Sequence, residues 1–306
     1  MAWIDCTTEE KIRKVASLRQ FEIMNHFETK YITHDNLELY LQAWLPVQPK
    51  ASVLVVHGLA EHSGRYAHFA KKLVAEDVAV FTFDGRGHGK SSHPKPTAFF
   101  ANYQDYLKDI DALYQKVKSY IPGIPVFLFG HSMGGGLTAA FALQYQPETH
   151  GIILSAPALQ PSDDVSHLLI AISSLVGRLL PKLKVLKLDS TKISHDPEEV
   201  NKYNNDPLVY HDPIPARTGY ELLKMMDAIE EQVKIFNYPL LLLHGTEDQL
   251  TNPKGSEFFF RNVSSADKTF HRYPNFYHEL LNEYEKEVVM GDVLHWLKER
   301  INKIGE

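Results

Sequence analysis

The chain has little of what would assign it to several broad classes. Its 306 residues contain one cysteine, Cys6, so an internal disulfide cannot form and no oxidising compartment is required. Cys6 has no visible partner in its charged segment and reads as incidental. Basic charge is scarce as well. Lys and Arg number 32 against 38 Asp and Glu, a net charge of −6, and no basic block occurs of the kind that neutralises phosphates, which excludes nucleic acid as the main partner. No apolar run reaches the ~20 residues of a membrane span. The opening MAWIDCTTEEKIRK lacks an apolar signal-peptide core. Internal repeats and low-complexity segments are missing too. These absences point to a soluble, cytoplasmic globular chain. The apolar content of 44% is enough to bury a sizeable core.

What is present is a rhythm. FETKYITHDNLELYLQAWLP alternates apolar and polar residues around His34, Asp35 and Asn36, which predicts an antiparallel hairpin. Short apolar runs follow at 52–57, 78–83, 126–129, 152–155, 240–244 and 269–273. Strands buried on both faces have this continuous character. Helical patterns separate them at 66–75, 103–120, 137–146 and 283–303, the last carrying Val289, Val293, Trp296, Leu297 and Ile301 on one stripe. Alternating strands and helices predict an α/β fold, a mostly parallel central sheet with helices on both faces.

One stretch breaks the rhythm. From Ala158 to about Arg217 no strand is evident, and prolines recur at 161, 181, 197, 207, 213 and 215. The expectation is a cap inserted between two strands, with 1–157 and 218–306 forming the core and 158–217 the cap. Within it Leu168, Ile172, Leu175, Val176 and Leu179 lie along a wide helical face. That face either packs the cap onto the core or forms a greasy lid that lines an acyl pocket or touches lipid, and both can hold.

The chemistry centres on VFLFGHSMGGGLTAAFALQYQ, where Gly130, His131, Ser132, Met133 and Gly134 make G-x-S-x-G between an apolar strand and an alanine-rich helix. A serine on such a strained turn projects its hydroxyl from the carboxyl edge of the sheet, and its neighbours must be small because backbone passes close by. A hydroxyl needs a base to become a nucleophile. PLLLLHGTEDQL supplies Asp248 just beyond a strand, with Glu247 as the competing acid. KTFHRYPNFYHELL supplies His278 after the last strand, whereas His271 lies inside that strand. The order Ser, Asp, His is that of the α/β-hydrolase triad. Backbone N–H groups of Met133 and of Leu59, in VLVVHGLAEHSGRY, are the candidate oxyanion donors.

Other readings of nearby residues are weaker. His57, Glu61 and His62 lack H-E-x-x-H, and the inverted H-x-x-E-H pattern would need a histidine where Gly58 stands, so no metal is expected. DGRGHGKS, residues 84–91, matches neither G-x-G-x-x-G nor the Walker pattern, so Asp84, Arg86 and His88 are expected to brace the sheet edge.

Together EHSGRY, FDGRGHGKS, GHSMGG, YNNDPL, HGTEDQL and YHELLNE resemble the monoacylglycerol lipase family of serine α/β-hydrolases, over nearly the whole chain after about residue 28. The resemblance implies an α/β-hydrolase core with a cap and the hydrolysis of fatty-acid monoesters, above all monoglycerides and lysophospholipids, without a cofactor. Ser132, Asp248 and His278 match the family triad, and Leu59 and Met133 its oxyanion positions. Glu61, Arg65 and Tyr203 match positions at the polar end of the pocket that receives glycerol. Without the resemblance, Glu61 and Arg65 read as an i,i+4 charge pair. The implied partner is a small lipid ester, and the apolar cap offers a surface for peripheral membrane contact. Two departures bear on substrate preference: Leu59 stands where a small residue is usual, and SSHPKPTAFF is proline-rich where a glycine and a basic residue are usual. The alternatives are a carboxylesterase, lysophospholipase or thioesterase acting on other acyl esters, or a non-catalytic binding module. An epoxide hydrolase or dehalogenase of this fold would carry Asp in place of Ser132.

Overall fold

The computed structural model describes residues 25–161 and 167–305. Cys6 lies outside the described residues, as do the side chains of Leu168 and Ile172.

Strands β1 (Asn25–Ile32) and β2 (Glu38–Leu45) form the expected antiparallel hairpin. Asn36 takes the left-handed conformation (φ 64°) at its turn, and the Thr33 hydroxyl accepts the Leu37 N–H at 3.0 Å. Then follow β3 (Ala51–Val56), α1 (Ala67–Val74), β4 (Val78–Phe83), α2 (Tyr103–Tyr120), β5 (Val126–His131), α3 (Met133–Tyr145) and β6 (Ile152–Ser155). After β6 come α4 (His167–Leu179), β7 (Lys184–Leu186), α5 (Pro197–Asn205), β8 (Ile214–Pro215) and α6 (Ala216–Gln232). The chain closes with β9 (Leu240–Gly245), α7 (Pro253–Asn262), β10 (Lys268–Tyr273) and α8 (Lys286–Gly305).

The main sheet has eight strands in the order β1-β2-β4-β3-β5-β6-β9-β10. From β4 to β10 all neighbours are parallel, and β2 joins β4 antiparallel. The side-chain period of two sorts the strands into two cores. Leu54, Val56, Leu128, Leu154, Leu240 and Leu242 face α2, α3 and α7, whereas Val53, Val55, Phe127, Phe129, Leu241 and Leu243 face α1 and α8. Burial on both faces is why these strands read as unbroken apolar runs.

Three expectations needed correction. The stretch 158–217 does contain strands: β7 and β8 pair antiparallel into a two-stranded ribbon. Three-residue and two-residue strands carry too little pattern to be visible in sequence. Residue 217 is the second residue of α6, so the expected boundary cuts that helix in its first turn. Helix α3 begins at Met133 rather than Leu137, and Gly134, Gly135 and Gly136 are helical despite their poor propensity. Packing decides this. A Cβ on Gly134 would lie 2.2 Å from the Val56 carbonyl oxygen, and one on Gly136 would lie 2.4 Å from Met225. Helix α3 is thus buried nearly all round between the sheet, α2 and α6.

Replacing Gly134 with Ala is therefore expected to destabilise the fold by about 3 kcal/mol, because backbone oxygens cannot yield as side chains do. Urea unfolding monitored by circular dichroism measures it, and an unchanged midpoint would contradict the packing argument.

Candidate active site

Parallel strands that share an edge bring their following loops together. β5, β6, β9 and β10 are successive neighbours, and the carboxyl ends of three of them carry the serine, the acid and the base nominated from sequence. Ser132 follows β5, Asp248 follows β9 and His278 follows β10.

Ser132 sits between β5 and α3 with φ 55° and ψ −122°, a conformation that L-residues rarely adopt. Its N–H donates to the Ser155 carbonyl at 3.0 Å, and its own carbonyl accepts the Ala158 N–H at 2.9 Å. The flanking glycine is required by contact: a Cβ on Gly130 would lie 2.4 Å from the Gly134 carbonyl oxygen. Asp248 is buried while Glu247 is exposed, which separates the two candidate acids. The loop bearing His278 crosses over the end of β9, where a Cβ on Gly245 would meet the Phe276 carbonyl oxygen at 2.3 Å. His271 stays on β10 and pairs with Asp292 at 3.1 Å.

The three side chains form one hydrogen-bonded line. Ser132 Oγ lies 2.8 Å from His278 Nε2, and His278 Nδ1 lies 2.7 Å from Asp248 Oδ2. Asp248 is heavily supported: its Oδ1 accepts the N–H groups of Leu250 (2.8 Å) and Thr251 (3.1 Å), and its Oδ2 also accepts the Thr251 hydroxyl (2.8 Å). Burial alone would raise its pKa, but His278 and His244 outweigh it and hold Asp248 well below the usual carboxylate range. Burial pulls His278 down, yet the charge of Asp248 and its hydrogen bond carry it above the ordinary histidine value. His131, whose ring centroid is 4.8 Å from that of His278, is pushed down to about 4 by burial and then by His278. It is therefore neutral when His278 takes a proton.

On the other side of Ser132 is the turn after β3. His57 donates from Nδ1 to the Gly58 carbonyl at 2.7 Å and accepts the Gly85 N–H on Nε2 at 2.9 Å; burial holds its pKa below the ordinary histidine value, outweighing Glu61, Asp84 and the Gly58 bond, so the ring is neutral. Glu61 Oε1 accepts the Gly58 N–H at 2.6 Å and the Tyr66 hydroxyl at 2.7 Å. The next residue, Leu59, lines the same cavity as Ser132 and Met133. Among the described residues no acceptor is bonded to the N–H of Leu59 or of Met133.

The other nominated residues divide. Glu61 and Tyr203 line that cavity, whereas Arg65 lies behind it in a small adjoining recess. Arg65 does form the i,i+4 pair with Glu61 at 2.9 Å, but it also makes a bidentate contact to Glu279 at 2.6 Å from each nitrogen. Its guanidinium lies 4.9 Å from the centre of the Tyr203 ring. Arg65 opposes the rise that burial would cause, and Glu61 stays ionised with a pKa of about 2. Asp84 accepts the Ser63 and Lys90 N–H groups, and Arg86 bridges Asp35 and Asp109, so DGRGHGKS braces the sheet edge as expected.

Sequence reasoning missed Glu279, Thr251 and His244. Glu279 follows the base directly, and Thr251 stands three residues after Asp248, a spacing at which a turn brings a hydroxyl back to a carboxylate. His244 is the penultimate residue of an apolar strand and reads there as one more buried residue.

The cavity under these groups is about 380 Å³, walled by Val176, Leu188, Ile193, Ile214, Leu222 and Leu223. A family model described as "Serine aminopeptidase, S33" matches residues 47–285. The monoacylglycerol lipase of Mycolicibacterium smegmatis is 34% identical over 262 residues, 85% of this chain and 93% of that one. Rat (Rattus norvegicus) monoglyceride lipase is 32% identical over 280 residues, 90% of this chain and 91% of that one. The crystal structure of Paleococcus ferrophilus monoacylglycerol lipase is similar with a TM-score of 0.76 at 30% identity, over 90% of this chain and 100% of that one. On sequence, fold and the line of serine, histidine and aspartate alike, the chain belongs to the monoacylglycerol lipase family of serine α/β-hydrolases.

Proposed function

We propose that this serine ester hydrolase cleaves monoacylglycerols, with Ser132 as nucleophile, His278 as general base and Asp248 as its orienting acid. The insertion between β6 and α6 acts as a cap over the acyl pocket. The observation that carries the proposal is the line Ser132–His278–Asp248, at 2.8 and 2.7 Å, opening into an apolar cavity. The names of the relatives support a monoglyceride as the substrate.

In the first step His278 Nε2 takes the Ser132 proton as Oγ attacks the ester carbonyl, and Asp248 stabilises the imidazolium. The N–H groups of Leu59 and Met133 hold the oxyanion; one such donor is worth about 3 kcal/mol in the transition state. His278 then protonates the departing alcohol. Water, deprotonated by the same imidazole, cleaves the acyl-enzyme and releases the fatty acid. The acyl chain lies in the apolar cavity, and Glu61 and Tyr203 stand at its alcohol end. No step calls on a cofactor.

The proposal extends to a lipid surface. Leu175, Leu179 and Leu180 on and after α4 are 59%, 69% and 56% exposed, and Leu183 and Leu186 continue the patch. Leu186 also lines the cavity, so the exposed leucines and the cavity share a residue. No described helix is long and apolar enough to cross a membrane. Contact through these leucines would be peripheral.

Five measurements test this. Ser132→Ala abolishes covalent labelling by a fluorophosphonate; a variant still labelled overturns the nucleophile. Across p-nitrophenyl esters, kcat/KM rises about fourfold per CH₂ until the cavity is filled, from ~0.8 kcal/mol per methylene. Monoglyceride, lysophospholipid, thioester and amino-acid anilide are assayed in parallel, and slower turnover of monoglyceride than of any of the other three refutes the substrate. The general base must be neutral to act, and its pKa lies above the ordinary value of ~6.5, so kcat/KM falls as pH drops through a midpoint higher than that. A midpoint below it contradicts the electrostatics. With phosphatidylcholine vesicles the protein co-floats and a Leu179→Glu, Leu180→Glu double variant does not; equal flotation of both removes the leucine patch from the account.

A further inference from the structure

Behind the acid lies a second imidazole. His244 is the penultimate residue of β9, is 1% exposed, and its Nε2 stands 3.1 Å from the same Asp248 oxygen that receives His278. Its other nitrogen, Nδ1, lies 2.7 Å from the hydroxyl of Ser256 on α7, which is fully buried. The Ser132–His278–Asp248 line therefore continues through His244 to Ser256.

The tautomer follows from charge. A lone pair on Nε2 facing an ionised carboxylate at this distance would be repelled, so Nε2 carries the proton and donates it to Asp248. Nδ1 is then an acceptor and the Ser256 hydroxyl its donor. We propose that His244, held by Ser256, is a positioning residue of the hydrolytic site: it fixes the Asp248 carboxylate and shares its negative charge with His278. The inference rests on the triad assigned above.

The arrangement has a consequence for the base. One Asp248 oxygen serves two imidazoles, and the charge drawn toward His244 is unavailable to stabilise protonated His278. His244 thereby moderates the basicity that Asp248 confers, keeping His278 able to release its proton to the leaving alcohol. Other charged groups around His278 do not replace this effect. Glu279 and Glu61 both raise its proton affinity, but each is paired with Arg65, and His131 is neutral. Among the described residues the polar groups bonded or paired with His244 are Asp248, Ser256 and Thr251, whose hydroxyl lies 3.4 Å from Nε2.

The test uses the full chain and a soluble ester. His244→Ala is expected to lower kcat/KM about tenfold, the loss of one charge-assisted hydrogen bond, and to move the acid limb of its pH profile upward by about half a pH unit. His244→Gln, whose amide nitrogen reaches the position of Nε2 and still donates, is expected to return the limb to the wild-type position. A folded His244→Ala enzyme with an unmoved limb overturns the proposal, as does a His244→Gln enzyme displaced as far as the alanine variant. Should His244→Ala fail to fold, Ser256→Ala serves instead: losing the donor to Nδ1 shifts the limb in the same direction by less, and no shift is refuting. Fluorophosphonate labelling of Ser132→Ala, run alongside, identifies failure of the triad itself, since that would leave the label in place whatever His244 does.

Discussion

Asp248 keeps a full negative charge where water scarcely reaches it, and most of the site's design answers that demand. An ionised carboxylate without partners in such a place would take up a proton and lose its use as an orienting acid. Here two backbone N–H groups, one hydroxyl and two imidazoles converge on its two oxygens. The donors come from two stretches of the chain. The N–H groups come from the turn after β9, the hydroxyl from Thr251, one imidazole from the end of β9 itself and the other from the loop after β10. The charge thus joins the end of β9 and the turn after it to the loop after β10, 30 residues on, and the position of His278 follows from it.

The same site depends on closeness of backbone. Gly130, Gly134 and Gly245 each stand where a methyl group would come within 2.4 Å of a carbonyl oxygen. Gly130 lets α3 fold back against β5 at the strained Ser132 turn, Gly134 lets that helix lie against the end of β3, and Gly245 lets the His278 loop cross β9. Strain at Ser132 is held by bonds on both sides of its peptide, to Ser155 and Ala158, so the conformation persists because neighbouring strands over-determine it. Helix propensity loses to packing across Gly134, Gly135 and Gly136, and that is the reason α3 starts one residue after the serine.

Much of this was legible in the sequence, for identifiable reasons. Double-sided burial leaves continuous apolar runs, so β3 to β6, β9 and β10 could be read to within two residues. Ser132, Asp248 and His278 stood out because each falls in a loop just after such a run. Glu247 remained a rival of Asp248 because exposure depends on a turn whose direction no local pattern fixes. Helix α7 escaped notice although Asn252 and Pro253 make a regular helix start, with Asn252 accepting the Lys254 N–H. The ribbon of β7 and β8 was invisible because pairing across 28 residues leaves no local period. Arg65 was half legible. Its i,i+4 partner could be counted along the chain, but Glu279 lies 214 residues away and only the fold brings it near.

The insertion between β6 and β9 is fastened to the site unevenly, and this divides its work. Around residues 193–195 the Ile193 carbonyl accepts the Glu279 N–H at 2.7 Å and the Ser194 hydroxyl donates to the Asn282 carbonyl at 2.8 Å. The His195 ring lies tilted against that of Tyr277 with centres 3.6 Å apart, and buried Glu283 accepts from His195 and from the Tyr277 N–H. Tyr277 immediately precedes His278, so this part of the insertion holds the loop that carries His278. Farther along, the Tyr210 N–H donates to the Ala60 carbonyl at 2.8 Å and His62 pairs with Asp206 at 2.9 Å, which ties the insertion to the turn carrying Leu59. The portion from Leu175 to Leu186 instead presents leucines outward. That portion is fastened elsewhere: β7 pairs with β8, and the Leu183 and Pro181 carbonyls accept the Ala216 and Arg217 N–H groups at 2.7 and 3.1 Å, so it is held to the start of α6 rather than to the loop of His278 or the turn of Leu59.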